Sequence, residues 1–158
     1  RARIHERHDG GERDGKHAEL PDAAESPREA EALVNTVNCV GVMGAGLAKA
    51  FATAFPHIVP PYQAACRAGQ IIPGTALLFP LGDGRLWAAL ATKNHWGNPS
   101  QLDWVRSGLY DLAARARHAG VNSIAIGRPG CGLGGLRWDL VRPVLMAALA
   151  DFRVTVYE

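Results

Sequence analysis

Disulfides and structural zinc are the first things this sequence does without. Its 158 residues hold three cysteines, Cys39, Cys66 and Cys131, an odd number with no C-x-x-C spacing. They read as reduced thiols. No apolar run approaches the roughly 20 residues that a membrane span requires, so no membrane association is expected. Residues 1–8 are charged and lack an apolar stretch, so no secretory leader is visible and the cytoplasm is the expected compartment. There is no H-E-x-x-H motif and no carboxylate cluster, hence no expected metal or cofactor. The G-x-x-x-x-G-K-[ST] phosphate loop is missing, as is a G-x-G-x-x-G followed by a ribose-binding acid, which weakens nucleotide hydrolase and dehydrogenase readings. An excess of one charge is lacking too: 17 Lys and Arg face 15 Asp and Glu.

What remains is an ordinary domain-sized chain, with 47% apolar and 20% charged residues, long enough to bury a core unaided. Its charge is uneven. Residues 1–30 hold six basic and eight acidic side chains against eleven and seven in the rest, so the remainder carries +4. That suits an anionic ligand such as a diphosphate but is too small to establish a nucleic-acid face. Residues 1–24 are polar, without helical or strand period, and read as a disordered or weakly ordered tail; residues 25–158 form the domain.

Ala32-Leu33-Val34-Asn35-Thr36-Val37 is a short apolar run typical of a buried parallel strand. Gly41-Val42-Met43-Gly44-Ala45-Gly46 follows as a turn, and Leu47, Ala50, Phe51, Ala54 and Phe55 then recur at helical spacing until Pro56. A second helix is expected over 62–67, ended by Gly69. Strands over 76–79 and 85–92 meet through Gly82-Asp83-Gly84 as a hairpin. Ser100 and Asp103 resemble a capping box before a helix lined by Leu102, Val105, Leu109, Leu112 and Ala116 and ended by Gly120. A strand over 123–126, a second glycine loop, a helix over 139–150 and a strand over 153–157 complete the α/β pattern. Such alternation implies a mixed, mostly parallel sheet with helices on both faces.

Two strands thus each deliver a glycine-rich loop into a helix, where backbone N–H groups and the helix N-terminus favour phosphate. Either loop alone could be a mere tight turn. Together they suggest a diphosphate.

The motifs themselves carry a resemblance. Ala32-Leu33-Val34-Asn35-Thr36-Val37-Asn38-Cys39 with Met43-Gly44-Ala45-Gly46 resembles the first ADP-ribose loop of macrodomains, and Pro129-Gly130-Cys131-Gly132-Leu133-Gly134-Gly135-Leu136 resembles their second. Thr92-Lys93-Asn94-His95-Trp96 matches a third signature between them. The branch most similar holds terminal ADP-ribose protein glycohydrolase and the macrodomain antitoxins of DarT/DarG systems. The resemblance implies a three-layer macrodomain sandwich that removes ADP-ribose from a macromolecule, from thymidine in DNA first and from protein glutamate next. Its implied partners are ADP-ribose, ADP-ribosylated DNA or protein and, as a candidate, a cognate DNA ADP-ribosyltransferase toxin. A non-catalytic ADP-ribose reader and an ADP-ribose 1''-phosphate phosphatase are the alternatives.

By the same resemblance Asn35 and Asn38 lie near the distal ribose, with a loop-capping amide as the other reading of Asn38. Gly44, Ala45 and Gly46 lie beside the diphosphate and ribose, and Pro129, Gly130, Cys131, Gly132, Leu133 and Gly134 wrap the diphosphate from the other side. Cys131 has no implied nucleophilic role. Lys93 is the implied catalytic group at ribose C1'': an amine can attack that carbon if its pKa is depressed, and an ammonium can orient substrate or stabilise the leaving group. His95 reads as a surface residue, and Trp96 as packing or a loop anchor rather than a base-stacking platform. Three departures stand out. Gly134 replaces the acid that works with the lysine in the protein glycohydrolase, as in the DNA-directed branch; Ala45 stands where that branch usually has lysine; and no clear opening strand ending in Gly-Asp exists, which leaves Asp22 as the adenine-binding candidate. Tyr157 is a candidate for packing against adenine or for the core.

Overall fold

The computed structural model describes residues 4–6, as backbone alone, and residues 30–157. Six strands, β1 (Ile4–Glu6), β2 (Ala32–Val37), β3 (Ala76–Pro80), β4 (Leu86–Ala91), β5 (Ser123–Ile126) and β6 (Arg153–Val156), form one sheet. Their spatial order is β1-β6-β5-β2-β4-β3. All neighbours are parallel except β3 and β4, the expected hairpin, whose turn is closed by Leu81 N–H donating to the Arg85 carbonyl at 3.0 Å.

Strand β2 is mostly apolar and almost wholly buried because both its faces are covered. Ala32 and Val34 face one layer, Leu33 and Val37 the other. Helices α1 (Gly46–Ala54) and α2 (Val59–Arg67) cover the second face, where Phe51, Ile58 and Tyr62 meet Leu33, Val37 and Trp87. Helices α3 (Leu102–His118) and α4 (Trp138–Ala148) cover the first, where Leu109, Leu112 and Leu145 meet Val34, Leu90 and Ile126. The architecture is therefore the three-layer α/β sandwich that the pattern implied. Trp87 anchors the second core: it is fully buried, meets the Tyr62 ring edge-on at 5.9 Å and lies 5.3 Å from Phe79.

Local expectations fail at two places. The start of α3 is no capping box: Gln101 is its N-cap, without a side-chain bond, while the Ser100 hydroxyl turns to Thr92 and Asp103 pairs with Arg106 at 2.8 Å. Helix α2 begins at Val59, not residue 62, because Pro60 and Pro61 fill a first turn whose N–H groups have no intrahelical acceptor. Within the segment expected as a disordered or weakly ordered tail, residues 4–6 pair in parallel with 154–156 of β6. A strand edge is joined through backbone groups alone, so three residues suffice without any apolar period.

Because β2, β4, β5 and β6 run parallel, their C-terminal ends release residues 38–45, 92–101, 127–137 and Tyr157 along one rim. After β2 the chain builds β3 and β4 on one side of it and β5 on the other. The rim above such a reversal is where open α/β sheets place ligands. Among the described residues no helix is long and apolar enough to cross a membrane, and no group of three or more His, Cys, Asp or Glu is placed to hold a metal.

Candidate functional site

A cavity of about 680 Å³ opens along that rim, with a glycine loop on either side. The first loop, residues 38–45, is organised by one carboxamide. Asn38 Nδ2 donates to the Val42 carbonyl at 2.7 Å, and Oδ1 accepts from the N–H groups of Val40 at 3.1 Å and Val42 at 3.3 Å. The Tyr62 hydroxyl sits between Asn38 O at 2.7 Å and Oδ1 at 3.1 Å, donating to the pair. Asn38 lines the cavity, but its amide is engaged within the loop, which favours the loop-capping reading. Asn35 is buried in β2 at the cavity floor, where its Oδ1 accepts from Trp87 Nε1 and its Nδ2 donates to Thr36 O at 3.1 Å. Gly44, Ala45 and Gly46 form the exposed lip. Ala45 precedes α1 in extended conformation and offers no capping side chain, so first-turn N–H groups are left for an anion.

The second loop is held mainly by its backbone, with the Cys131 thiol donating to Pro129 O at 3.6 Å. Leu136 N–H donates to Gly130 O at 2.9 Å, Gly135 N–H to Gly132 O at 3.1 Å, and Ser100 N–H, from the other side of the cavity, to Gly134 O at 3.0 Å. Gly130 adopts φ +77°, a conformation that disfavours any side chain. Pro129, Gly130, Cys131, Gly132, Leu133 and Gly134 all line the cavity. Burial pushes the Cys131 thiol up against the opposing effect of Arg128, which keeps it protonated and speaks against a nucleophilic role.

Lys93 follows β4 and lines the cavity between the loops, half-buried. Its segment is stitched to the first loop: the Cys39 thiol donates to Lys93 O at 3.2 Å and Cys39 N–H to Asn94 O at 3.1 Å. Its ammonium makes no hydrogen bond or ion pair among the described residues. Lys93 and Arg128 are the cationic linings, and no Asp or Glu among the described residues lines the cavity.

Two glycine loops at the C-terminal ends of parallel strands, with a lysine between them, match the sequence pattern of the Macro domain family, which covers residues 34–145. The chain belongs to the macrodomain family. This macrodomain is 42% identical over 134 residues, 81% of its own length, to the DNA ADP-ribosyl glycohydrolase of Thermus aquaticus, of which it spans 37%. It superposes on the macrodomain of Mycobacterium tuberculosis DarG with a TM-score of 0.79 at 34% identity, covering 90% of this chain and 98% of that one. Against Thermosipho africanus DarTG in complex with ADP-ribose the TM-score is 0.74 at 31% identity, over 81% of this chain and 38% of that one.

The structure gives a steric reason for the glycine at the second loop of this macrodomain. A Cβ built on Gly134 would collide with Ser100 Oγ and lie 2.5 Å from Gly130 O. No side chain, acidic or otherwise, enters there without displacing Ser100. Tyr157, the candidate for adenine packing or for the core, is buried at the cavity and its hydroxyl donates to Val34 O at 3.3 Å. Burial raises that phenol well above its ordinary value. Asp22 lies outside the described residues. Trp96, expected as packing or an anchor, is exposed at the cavity mouth. The sequence reading missed Thr92, Ser100, Arg128 and Trp138 as cavity residues. Arg128, whose guanidinium carbon lies 5.1 Å from the Trp138 ring centre, had a visible signal as a cation between a buried strand and a glycine loop. Ser100 had none, because its hydroxyl serves Thr92 at 3.3 Å rather than the helix.

Proposed function

We propose that this macrodomain binds ADP-ribose with its diphosphate between the two glycine loops and hydrolyses the C1'' bond joining it to a macromolecule. ADP-ribosylated thymidine in DNA is the favoured substrate, and glutamate-linked protein is next. The observation that supports this most directly is Lys93 in the cavity wall between both loops, with an ammonium that no described carboxylate neutralises. An amine there can attack C1'' and form a Schiff-base-like adduct that water resolves. An ammonium can instead stabilise the charge of the departing base while water adds to C1''. In either course water supplies hydroxyl to the sugar and a proton to the released base. The substrate requires an enzyme that installs it, so a DNA ADP-ribosyltransferase is the partner this reading calls for.

Lys93→Ala is expected to remove turnover of an ADP-ribosylated thymidine oligonucleotide while leaving ADP-ribose affinity within a few fold, the pattern of a lost transition-state interaction. Lys93→Arg separates the two chemistries: retained activity means electrostatic action, whereas loss together with a borohydride-trapped adduct in the wild type means covalent action. Wild-type turnover by Lys93→Ala would end the catalytic assignment. A cavity without a carboxylate among the described residues also supports a second reading, a binding module, which tight ADP-ribose binding by a wild type inactive on DNA- and protein-linked substrates would favour.

A further inference from the structure

We propose that Trp96 is a stacking platform for a base of the nucleic acid that carries the ADP-ribose, at the part of the cavity mouth nearest Lys93 in the chain. The proposal rests on the reading of Lys93 at C1'' and extends it to the part of the substrate that is not ADP-ribose.

Exposed apolar side chains scattered singly need no explanation. Here three converge on one opening: Val42 at 43% exposure, Trp96 at 60% and Leu133 at 76%, one from each of the three segments that wall the cavity. The indole is held rather than loose. It lies against the His95 ring at 4.8 Å with a 36° tilt, His95 Nδ1 accepts the Gly97 N–H at 3.1 Å, and Asn98 N–H closes the turn onto His95 O at 3.0 Å. A ring backed on one face and open on the other is pre-organised for stacking, since little side-chain freedom is left to lose. It stands three residues beyond Lys93, at the lysine side of the cavity mouth rather than on either diphosphate loop. A nucleobase has the flat face such a ring takes up, whereas a glutamate side chain offers none. Strand phosphates also meet Lys93 in the cavity wall.

The test uses Lys93→Ala protein, which holds substrate without consuming it, and measures affinity for ADP-ribose, an ADP-ribosylated thymidine oligonucleotide and an ADP-ribosyl-glutamate peptide. The oligonucleotide is expected to bind more tightly than ADP-ribose. Adding W96A is expected to weaken the oligonucleotide about ten-fold, the order of one lost base stack, with ADP-ribose affinity within two-fold; W96F recovers most of the loss. An unchanged oligonucleotide affinity overturns the proposal. So does an equal loss for ADP-ribose, which would assign Trp96 to that ligand, or an equal loss for the peptide, which would make the surface one for protein. Turnover by the wild type is read separately, so an inactive wild type defeats the hydrolase reading while these affinities still decide the role of Trp96.

Discussion

The two glycine loops face each other across one cavity, yet they are built by opposite means. The first is shaped by side chains: the Asn38 carboxamide and the Tyr62 hydroxyl hold it from within, and Gln63 Nε2 donates to Gly41 O at 3.1 Å from α2. The second is shaped mainly by glycine backbone closing on itself and on Ser100, with a side-chain bond from the Cys131 thiol to Pro129 O. The first loop is therefore vulnerable to truncation and the second to addition. A diphosphate between them meets one wall that depends on polar side chains behind it and one that depends on space.

The hardest test of this contrast is Gly130→Ala. The new methyl would sit 2.7 Å from Leu136 Cδ1 and 3.2 Å from Val105 Cγ2 on a backbone at φ +77°. Crowding and strain together are expected to cost about 2–4 kcal/mol and to abolish ADP-ribose binding, read by thermal melting and calorimetry. Asn38→Ala comes next, at about 1–3 kcal/mol for buried groups left unsatisfied, with weakened ADP-ribose binding. Asn38→Asp keeps the acceptor oxygens but loses the donor to Val42, so its melting point should fall between those of Asn38→Ala and the wild type. Gly132→Val separates fold from function: nothing lies within 4 Å of the added Cβ and the backbone needs no left-handed residue, so the melting point should hold while ADP-ribose binding disappears. Retained binding would mean that no phosphate approaches this backbone.

The smallest effect concerns the stitch between the first loop and Lys93. Burial, reinforced by Cys66, pushes the Cys39 thiol from its ordinary 9 to about 11. The folded chain then keeps a proton that the unfolded chain releases, so this contribution is full below pH 9 and is lost as pH rises through about 11. Urea midpoints should decline across that window, and Cys39→Ala should flatten the decline.

Much of this molecule is legible in its sequence because the signals are local. The apolar run of β2, the Gly82-Asp83-Gly84 hairpin and the stripe of α3 each declare their element, and strands that end in glycine loops declare the rim. What is not legible depends on contacts distant in the chain. Ser100 reads as a cap until Thr92 is seen beside it, and Asn38 reads as either a ligand contact or a loop cap, with no sign of the Tyr62 hydroxyl that reaches it from 24 residues away. Residues 4–6 show no strand period because their ladder is made by the backbone of β6, at the far end of the sequence. Trp96 is misread for the converse reason: tryptophan is ordinarily packed, and only the folded rim shows this one facing solvent.

The collision between a residue at 134 and Ser100 has a historical consequence. In a single mutational step, neither an acid at 134 nor the volume to receive it is available, since Ser100 and the Gly130 carbonyl already fill that space. A lineage exchanging glycine for an acid there must relocate both the Gly130 carbonyl and position 100, whose own N–H holds the loop through Gly134 O. The two positions are thus an epistatic pair, and their identities are expected to switch together wherever relatives differ in how the second loop takes part in catalysis.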